Sequence, residues 1–414
     1  MVEKFAEKLE EYARLLTEVG LNPAPGQTVA LNCPVDCAEL GRKCVEALYD
    51  QGVREVLMTW TDDFVTRQKY LRAEESVFTQ VPGFTAERYR WMEENCVGAL
   101  HIIGEDPELL KGVDPERVRA WQQAIGKATR SYSKAQDASR FPWCIGAHPT
   151  AAWAKRVFPE LPEAEAMDRL WEAVFAACRV EGDGGAPARW AAHVRATQER
   201  VDKLNSLRLR RLHYTNALGT DLWVGLPEGH LWSGAAERCP TTGRSFVANI
   251  PTEEVFTAPH RLEAEGRVHA SLPLALNGNL VKNFWLELRE GKIIDLHAET
   301  GEEYLRAGIA VDEGASYLGE VALVPYASPI RETGILFYNT LFDENASCHL
   351  AFGAAYSSCV RGAAELGEEE QKALGLNQSF THEDFMIGTA DLDITGVTHD
   401  GREVPIFRQG AWAL

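Results

Sequence analysis

Residues 27–60 read QTVALNCPVDCAELGRKCVEALYDQGVREVLMTW. Gln27–Asn32, with Val29-Ala-Leu31 at its centre, reads as a buried strand. Asp36–Asp50 follows with apolar side chains at Leu40, Val45 and Leu48, spaced for a helix. Val53–Trp60 is a second apolar strand. Strand, helix and strand within about 35 residues make a βαβ unit, with parallel strands and a right-handed crossover.

The same grammar extends outward. Gly98–Gly104 (GALHIIG) and Phe141–Ala147 (FPWCIGA) read as strands, with a helix around Pro115–Thr129 between them. Helical stretches dominate from Ala151 to about Leu209, interrupted by the loop Glu181–Pro187. This half predicts an open parallel sheet covered by helices. No G-x-G-x-x-G follows its first strand, and no phosphate-binding G-x-x-x-x-G-K-[ST] occurs, so nucleotide binding is unsupported. The topology alone is silent on function.

From residue 212 the long helices give way to short β runs such as Leu222–Gly225 and Phe246–Asn249. Asn283–Leu296 predicts a hairpin turning at Glu290-Gly291, and Glu320–Val324 a further strand. The expected architecture is an α/β N-terminal domain, residues 1–211, with an open parallel sheet. An α+β C-terminal domain, residues 212–414, follows with a mainly antiparallel sheet. A chain of 414 residues exceeds what one core usually covers, which agrees with two domains.

A formal charge of −19 argues against nucleic acid and against an anionic membrane surface as partners. The nine cysteines form no short-spaced ladder, and Cys33-x-x-x-Cys37 has no second pair to complete a zinc site. Reduced thiols in a cytoplasmic protein are expected. The opening MVEKFAEKLEEYARLL reads as a charged amphipathic helix and not a signal peptide. No run approaches the roughly 18 apolar residues that cross a bilayer.

Chemistry concentrates in the last third. Pro251-Thr-Glu-Glu254 places Glu253 and Glu254 side by side, and both reach one site only from a strand end or loop. Such a pair can divide the work between metal ligand and general base; a solvated acidic turn is the bland alternative. Glu320 enters an apolar strand, where a carboxylate needs a metal or an arginine as partner. Asp343–Tyr356 predicts a turn leading into a helix, with Asn345 as its cap and His349, Gly353 and Tyr356 along one face. Glu344 precedes that helix and can fold back toward His349, while Gly353 leaves room for a substrate between imidazole and phenol. A packed helix with a satisfied core histidine is the competing view. His382 and Asp384 share a face if their segment is extended, and can hold one ion. Asp391-Leu-Asp393 has the same spacing but reads as a polar turn. Two imidazoles and several carboxylates suit a pair of hard-to-borderline divalent cations better than one closed structural zinc. Two such cations activate water and polarise a carbonyl.

The stretch Asn249–Pro259, then Glu320, Glu344-Asn-Ala-x-x-His349, Tyr356 and His382-x-Asp384, resembles the aminopeptidase T/aminopeptidase S family of dinuclear metallo-aminopeptidases. The resemblance covers most of the chain. It implies metal ligands at Glu254, Glu320, Glu344, His349, His382 and Asp384, with Tyr356 a catalytic residue that is not a ligand. It also implies two activating ions (cobalt, zinc or magnesium), a homodimer, a cytoplasmic location and a metal site in the C-terminal domain. Peptides with a free N-terminus are the substrates implied. Within that frame Glu320 is expected to bridge the ions, Glu253 to act as general base and Tyr356 to hydrogen-bond the developing oxyanion. An acid is expected where His260 stands, a departure that bears on specificity and not on ligation. A metal-dependent dipeptidase or amidase remains a rival, as does a non-enzymatic α/β binding protein. Blocked and varied substrates separate the first; metal removal without any turnover marks the second.

Overall fold

A computed structural model describes residues 2–276 and 279–414. The chain divides into two compact units, Met1–His193 with Ala236–Pro251, and Val194–Ala235 with Thr252–Leu414.

The first unit holds a five-stranded sheet in the order Glu55–Thr61, Thr28–Pro34, Gly98–Ile103, Trp143–Ala147 and Asn249–Ile250. Each neighbouring pair is parallel. The apolar runs form the strands because both faces are covered: Val29, Ala30, Leu31, Ala99 and Leu100 are fully buried. Helix Ala38–Asp50 buries Leu40, Cys44, Ala47 and Leu48. It ends where Gly52 adopts φ +79°, and the Val53 N–H donates back to the Leu48 carbonyl, satisfying the helix end. Asp114 caps the helix Pro115–Asp137 by accepting from the Glu116 N–H, with Pro115 in the first turn. That helix runs two turns past the expected Thr129.

A single cut after residue 211 does not match the compact units. Ala236–Pro251 carries short β runs like those that follow it, which is why its sequence groups it with the second half. Its strand Asn249–Ile250 nevertheless pairs in parallel with Trp143–Ala147 and completes the first unit's sheet.

The second unit contains a nine-stranded antiparallel sheet. Its order is Leu274–Leu276, Asn279–Arg289, Ala264–His269, Asp221–Gly225, Leu209–Thr215, Asp393–Thr398, Glu403–Arg408 and Ala411–Trp412, with Lys292–Thr300 paired to Asn279–Arg289. The expected hairpin is there: Arg289 faces Lys292 across a two-residue turn in which Glu290 and Gly291 have φ of 50° and 79°. A second antiparallel sheet has four strands, Val255–Thr257, Leu318–Leu323, His349–Gly353 and His382–Met386. One apolar cluster joins the two sheets. It takes Leu212, Tyr214, Leu286 and Ile394 from the larger, and Val255, Val321, Leu323, Leu350, Phe352 and Phe385 from the smaller.

Candidate metal centre

Strand alternation in the four-stranded sheet explains how its polar residues gather. Directly paired residues of an antiparallel sheet share a face. Register places Phe256, Ala322, His349 and Met386 in one row across the sheet. Glu320, Ala351 and Asp384 form the next row, and Gly353 with His382 the one after. The intervening Val321, Leu323, Leu350, Phe352 and Phe385 point the other way, into the core. Thus one face is mainly apolar, with Thr257 and Glu383 as polar members. The opposite face carries the carboxylates and imidazoles among Ala322, Ala351 and Gly353, with Phe256 and Met386 at the ends of one row.

The polar face converges tightly. One ligand atom each from Glu254, Glu320 and His349 lie within 4.8 Å of one another, and the same holds for Glu320, His382 and Asp384. Glu320 belongs to both sets. Nε2 of His349 is 3.1 Å from Glu254 Oε2, and Nε2 of His382 is 3.1 Å from Glu320 Oε2 and 3.4 Å from Asp384 Oδ1. The opposite ring nitrogens are held by backbone: Nδ1 of His349 is 3.1 Å from the Ser347 carbonyl and Nδ1 of His382 is 2.7 Å from the Ala354 carbonyl. A carbonyl can only accept, so each Nδ1 carries a proton. Each Nε2 faces the carboxylates, donating to them as imidazolium and free to offer its lone pair only when a cation takes that proton's place.

Burial makes this arrangement costly without cations. Glu254, Glu320, Glu344, His349 and Asp384 are all buried. Burial, reinforced by the charges of Glu254 and Asp384 against the pull of His382, pushes the Glu320 carboxyl up to about 7. Burial followed by Asp384 and Glu254 holds Glu344 well above the usual carboxylate range. For His349, burial alone lowers the pKa, but the hydrogen bond to Glu254 and the surrounding carboxylates drive it to about 10. His382 is likewise raised well above its ordinary value despite burial, by Asp384 and Glu320. The imidazoles act as the cluster's own cations. A donor set of carboxylate oxygens and imidazole nitrogens fits divalent ions such as zinc, cobalt or magnesium.

The remaining expected residues divide. Glu344 sits in the single turn Glu344–Ala346 that precedes the strand His349–Gly353, electrostatically coupled to the cluster but outside both triads. Glu253 is buried next to Glu254 and belongs to neither triad. Tyr356 lies just past the strand, its ring centroid 5.1 Å from that of His382. Asp391 is a turn residue, accepting from the Ala217 N–H and Thr389 Oγ1. His260 hydrogen-bonds locally, accepting from the Leu262 N–H.

The expected helix after Asn345 does not form. His349–Gly353 is a strand paired on both sides, so the helical i, i+4, i+7 face of His349, Gly353 and Tyr356 does not exist. Complete burial of Leu350 and Phe352, each contributing roughly 2–3 kcal/mol, outweighs a helix propensity of tenths. Gly353 opens no substrate gap either. Its φ is +112°, and a Cβ there would collide with the Thr381 carbonyl oxygen, so glycine serves close approach of two strands. Asn345 is no cap. Fully buried, it accepts from the Glu253 N–H at 2.7 Å and donates to the Leu341 carbonyl at 2.9 Å and to Glu344 Oε1 at 3.3 Å. It thereby ties the Glu253-Glu254 segment to Glu344, a link that asparagine's identity alone does not reveal.

Two overlapping triads of carboxylates and imidazoles, buried apart from the partly exposed His382 and sharing one glutamate, define a candidate divalent-cation centre. Comparison with known proteins supplies the class of chemistry. The family model described as "Thermophilic metalloprotease (M29)" matches residues 5–412. Aminopeptidase AmpS of Bacillus subtilis is 43% identical over 413 residues, covering 100% of both chains. Aminopeptidase PepS of Streptococcus thermophilus is 43% identical, covering 99% of each. The solved structure of wild-type AmpT from Thermus thermophilus superposes with a TM-score of 0.90 at 40% identity, covering 99% of this chain and 100% of the other. The chain belongs to the thermophilic metalloprotease (M29) family and is a metallopeptidase, a hydrolase of peptide bonds.

Proposed function

We propose that the chain is an aminopeptidase that removes N-terminal residues from peptides with two divalent cations. The observation that carries this reading is Glu320, whose carboxylate takes part in both triads. Glu254 and His349 would hold one ion and His382 and Asp384 the other, with Glu320 between them and Glu344 completing the set. Charge supports two ions. Glu254, Glu320, Glu344 and Asp384 bring four negative charges into a buried site, which two divalent cations balance while both histidines stay neutral. Bound cations supply water activation at neutral pH and polarisation of the scissile carbonyl.

The chain's own residues do the rest. The Tyr356 phenol, beside His382, donates a hydrogen bond to the carbonyl oxygen as it gains negative charge. Glu253 takes the proton of the attacking water and returns it to the leaving amine. The substrate's free α-amino group would be held at one of the cations together with a nearby carboxylate, which limits cleavage to the first residue. The names of the relatives support peptides with a free N-terminus as substrates. All nine cysteines are free thiols and eight are buried, in keeping with a reducing cytoplasm. No helix among the described residues is long and apolar enough to cross a membrane. A homodimer follows from the family resemblance.

Hydrolysis of leucine 4-nitroanilide by chelator-treated protein tests the proposal. Activity is expected to return on adding cobalt, zinc or magnesium, and only on the free amine. Equal cleavage of the N-acetylated substrate overturns the aminopeptidase reading in favour of a broader amidase.

A further inference from the structure

Phe256 shares a row of the four-stranded sheet with His349, separated from it by Ala322. Its strand neighbours Val255 and Thr257 are fully buried on the core side, whereas Phe256 is only half-buried. The carboxylate of Glu254, two residues before it, is 3.1 Å from His349 Nε2. Small buried residues flank Phe256: Ala322 directly across the sheet and Ala258 in the cluster it packs against. Its ring meets Tyr356 edge-on at 6.0 Å between centroids, and Tyr356 in turn meets His382. Behind the two rings lies an apolar cluster separate from the main core, made by Ala258, Cys359, Val360, Ala363 and Leu376, with Phe256, Ala355 and Tyr356 packed against it.

A partly exposed aromatic on a face of mostly polar and small residues, backed by its own apolar bed, has the composition of a side-chain subsite. We propose that Phe256 forms the wall on which the substrate's N-terminal side chain packs, so that this protein selects apolar first residues over small or charged ones. The inference rests on the aminopeptidase reading and makes Phe256 a specificity-determining residue. Tyr356 then faces the scissile carbonyl on one side and closes the subsite on the other.

The test compares kcat/KM of metal-loaded wild type, Phe256→Ala and Phe256→Leu on leucyl, alanyl and glutamyl 4-nitroanilides, with metal content measured in each. Phe256→Ala is expected to lower the leucyl-to-alanyl ratio about tenfold while leaving alanyl turnover and metal content near wild type. Phe256→Leu, which keeps an apolar wall but loses the ring contact with Tyr356, is expected to retain most of the ratio. A ratio unchanged in both variants overturns the subsite, and a uniform fall in kcat across all substrates does so too, because it marks a ring that only positions Tyr356. Should Phe256→Ala fail to fold, Phe256→Val takes its place on the same substrates: a lowered leucyl-to-alanyl ratio at normal metal content supports the subsite, and an unchanged ratio overturns it. Wild type inactive on every free-amine anilide overturns the aminopeptidase reading, and the subsite with it.

Discussion

Oε2 of Glu320 lies 3.1 Å from Nε2 of His382, and the same glutamate reaches within 4.8 Å of ligand atoms on Glu254 and His349. One side chain on a central strand therefore couples two triads built from four different segments. Glu320 stands at a register shift in its pairing with the strand His349–Gly353, next to Gly319, and the shift turns its carboxylate onto the polar face.

Glu320→Ala is expected to abolish binding of both ions and all activity, whereas Glu254→Ala removes one ion. Metal per chain, measured by elemental analysis after gel filtration, separates the two. Two ions retained by Glu320→Ala refutes the shared-ligand assignment.

Tyr356→Phe keeps the ring against Phe256 and His382 and deletes only the hydroxyl. Loss of a single oxyanion donor costs about 10²–10³ in turnover. The variant is expected to show that fall in kcat with normal metal content. Full activity in Tyr356→Phe removes the phenol from the mechanism.

Much of the fold was legible because its signals are local. Gln27–Asn32, Gly98–Gly104 and Phe141–Ala147 carry strand patterns that survive in the structure, and Glu290-Gly291 has the φ values its hairpin demands. His382 and Asp384 were also legible, since alternation on a strand is a period-two property of the sequence. The segment around His349 was not. Its short run Leu350–Phe352 fits either a helix or a buried strand, and pairing with Leu318–Leu323 and His382–Met386, both distant in sequence, decides the matter. The role of Asn345 depends on Glu253, 92 positions away, and the place of Ala236–Pro251 on a strand partner at Trp143–Ala147. Non-local contacts of this kind leave no local pattern to read.

Removing metal is expected to lower the melting temperature, because four buried carboxylates then rely on two imidazoles for compensation. A bound ion present at 100 times its dissociation constant stabilises the folded state by about 2.7 kcal/mol. Differential scanning calorimetry with chelator and with added zinc or cobalt reads this directly. Identical melting in both conditions argues that no ion is bound in this cluster.

Away from the cluster, Glu237 offers a test by pH. Burial, reinforced by the charge of Asp137 and opposed by the hydrogen bond from Ser139, raises its carboxyl from 4.5 to about 7. The folded state therefore holds this proton more tightly than the unfolded state. The contribution to stability is complete below about pH 4.5, falls as pH rises, and is lost above about pH 7, where the charged carboxylate is disfavoured inside the fold. A shift of this size corresponds to about 3 kcal/mol, reduced to about 2 kcal/mol by the solvent that reaches a half-buried group. Glu237→Gln is nearly isosteric with the protonated acid and cannot ionise. It is expected to melt with wild type at pH 4 and several degrees above it at pH 8. A variant that melts below wild type at pH 8 shows that the ionised carboxylate is stabilised in the fold, reversing the sign argued here.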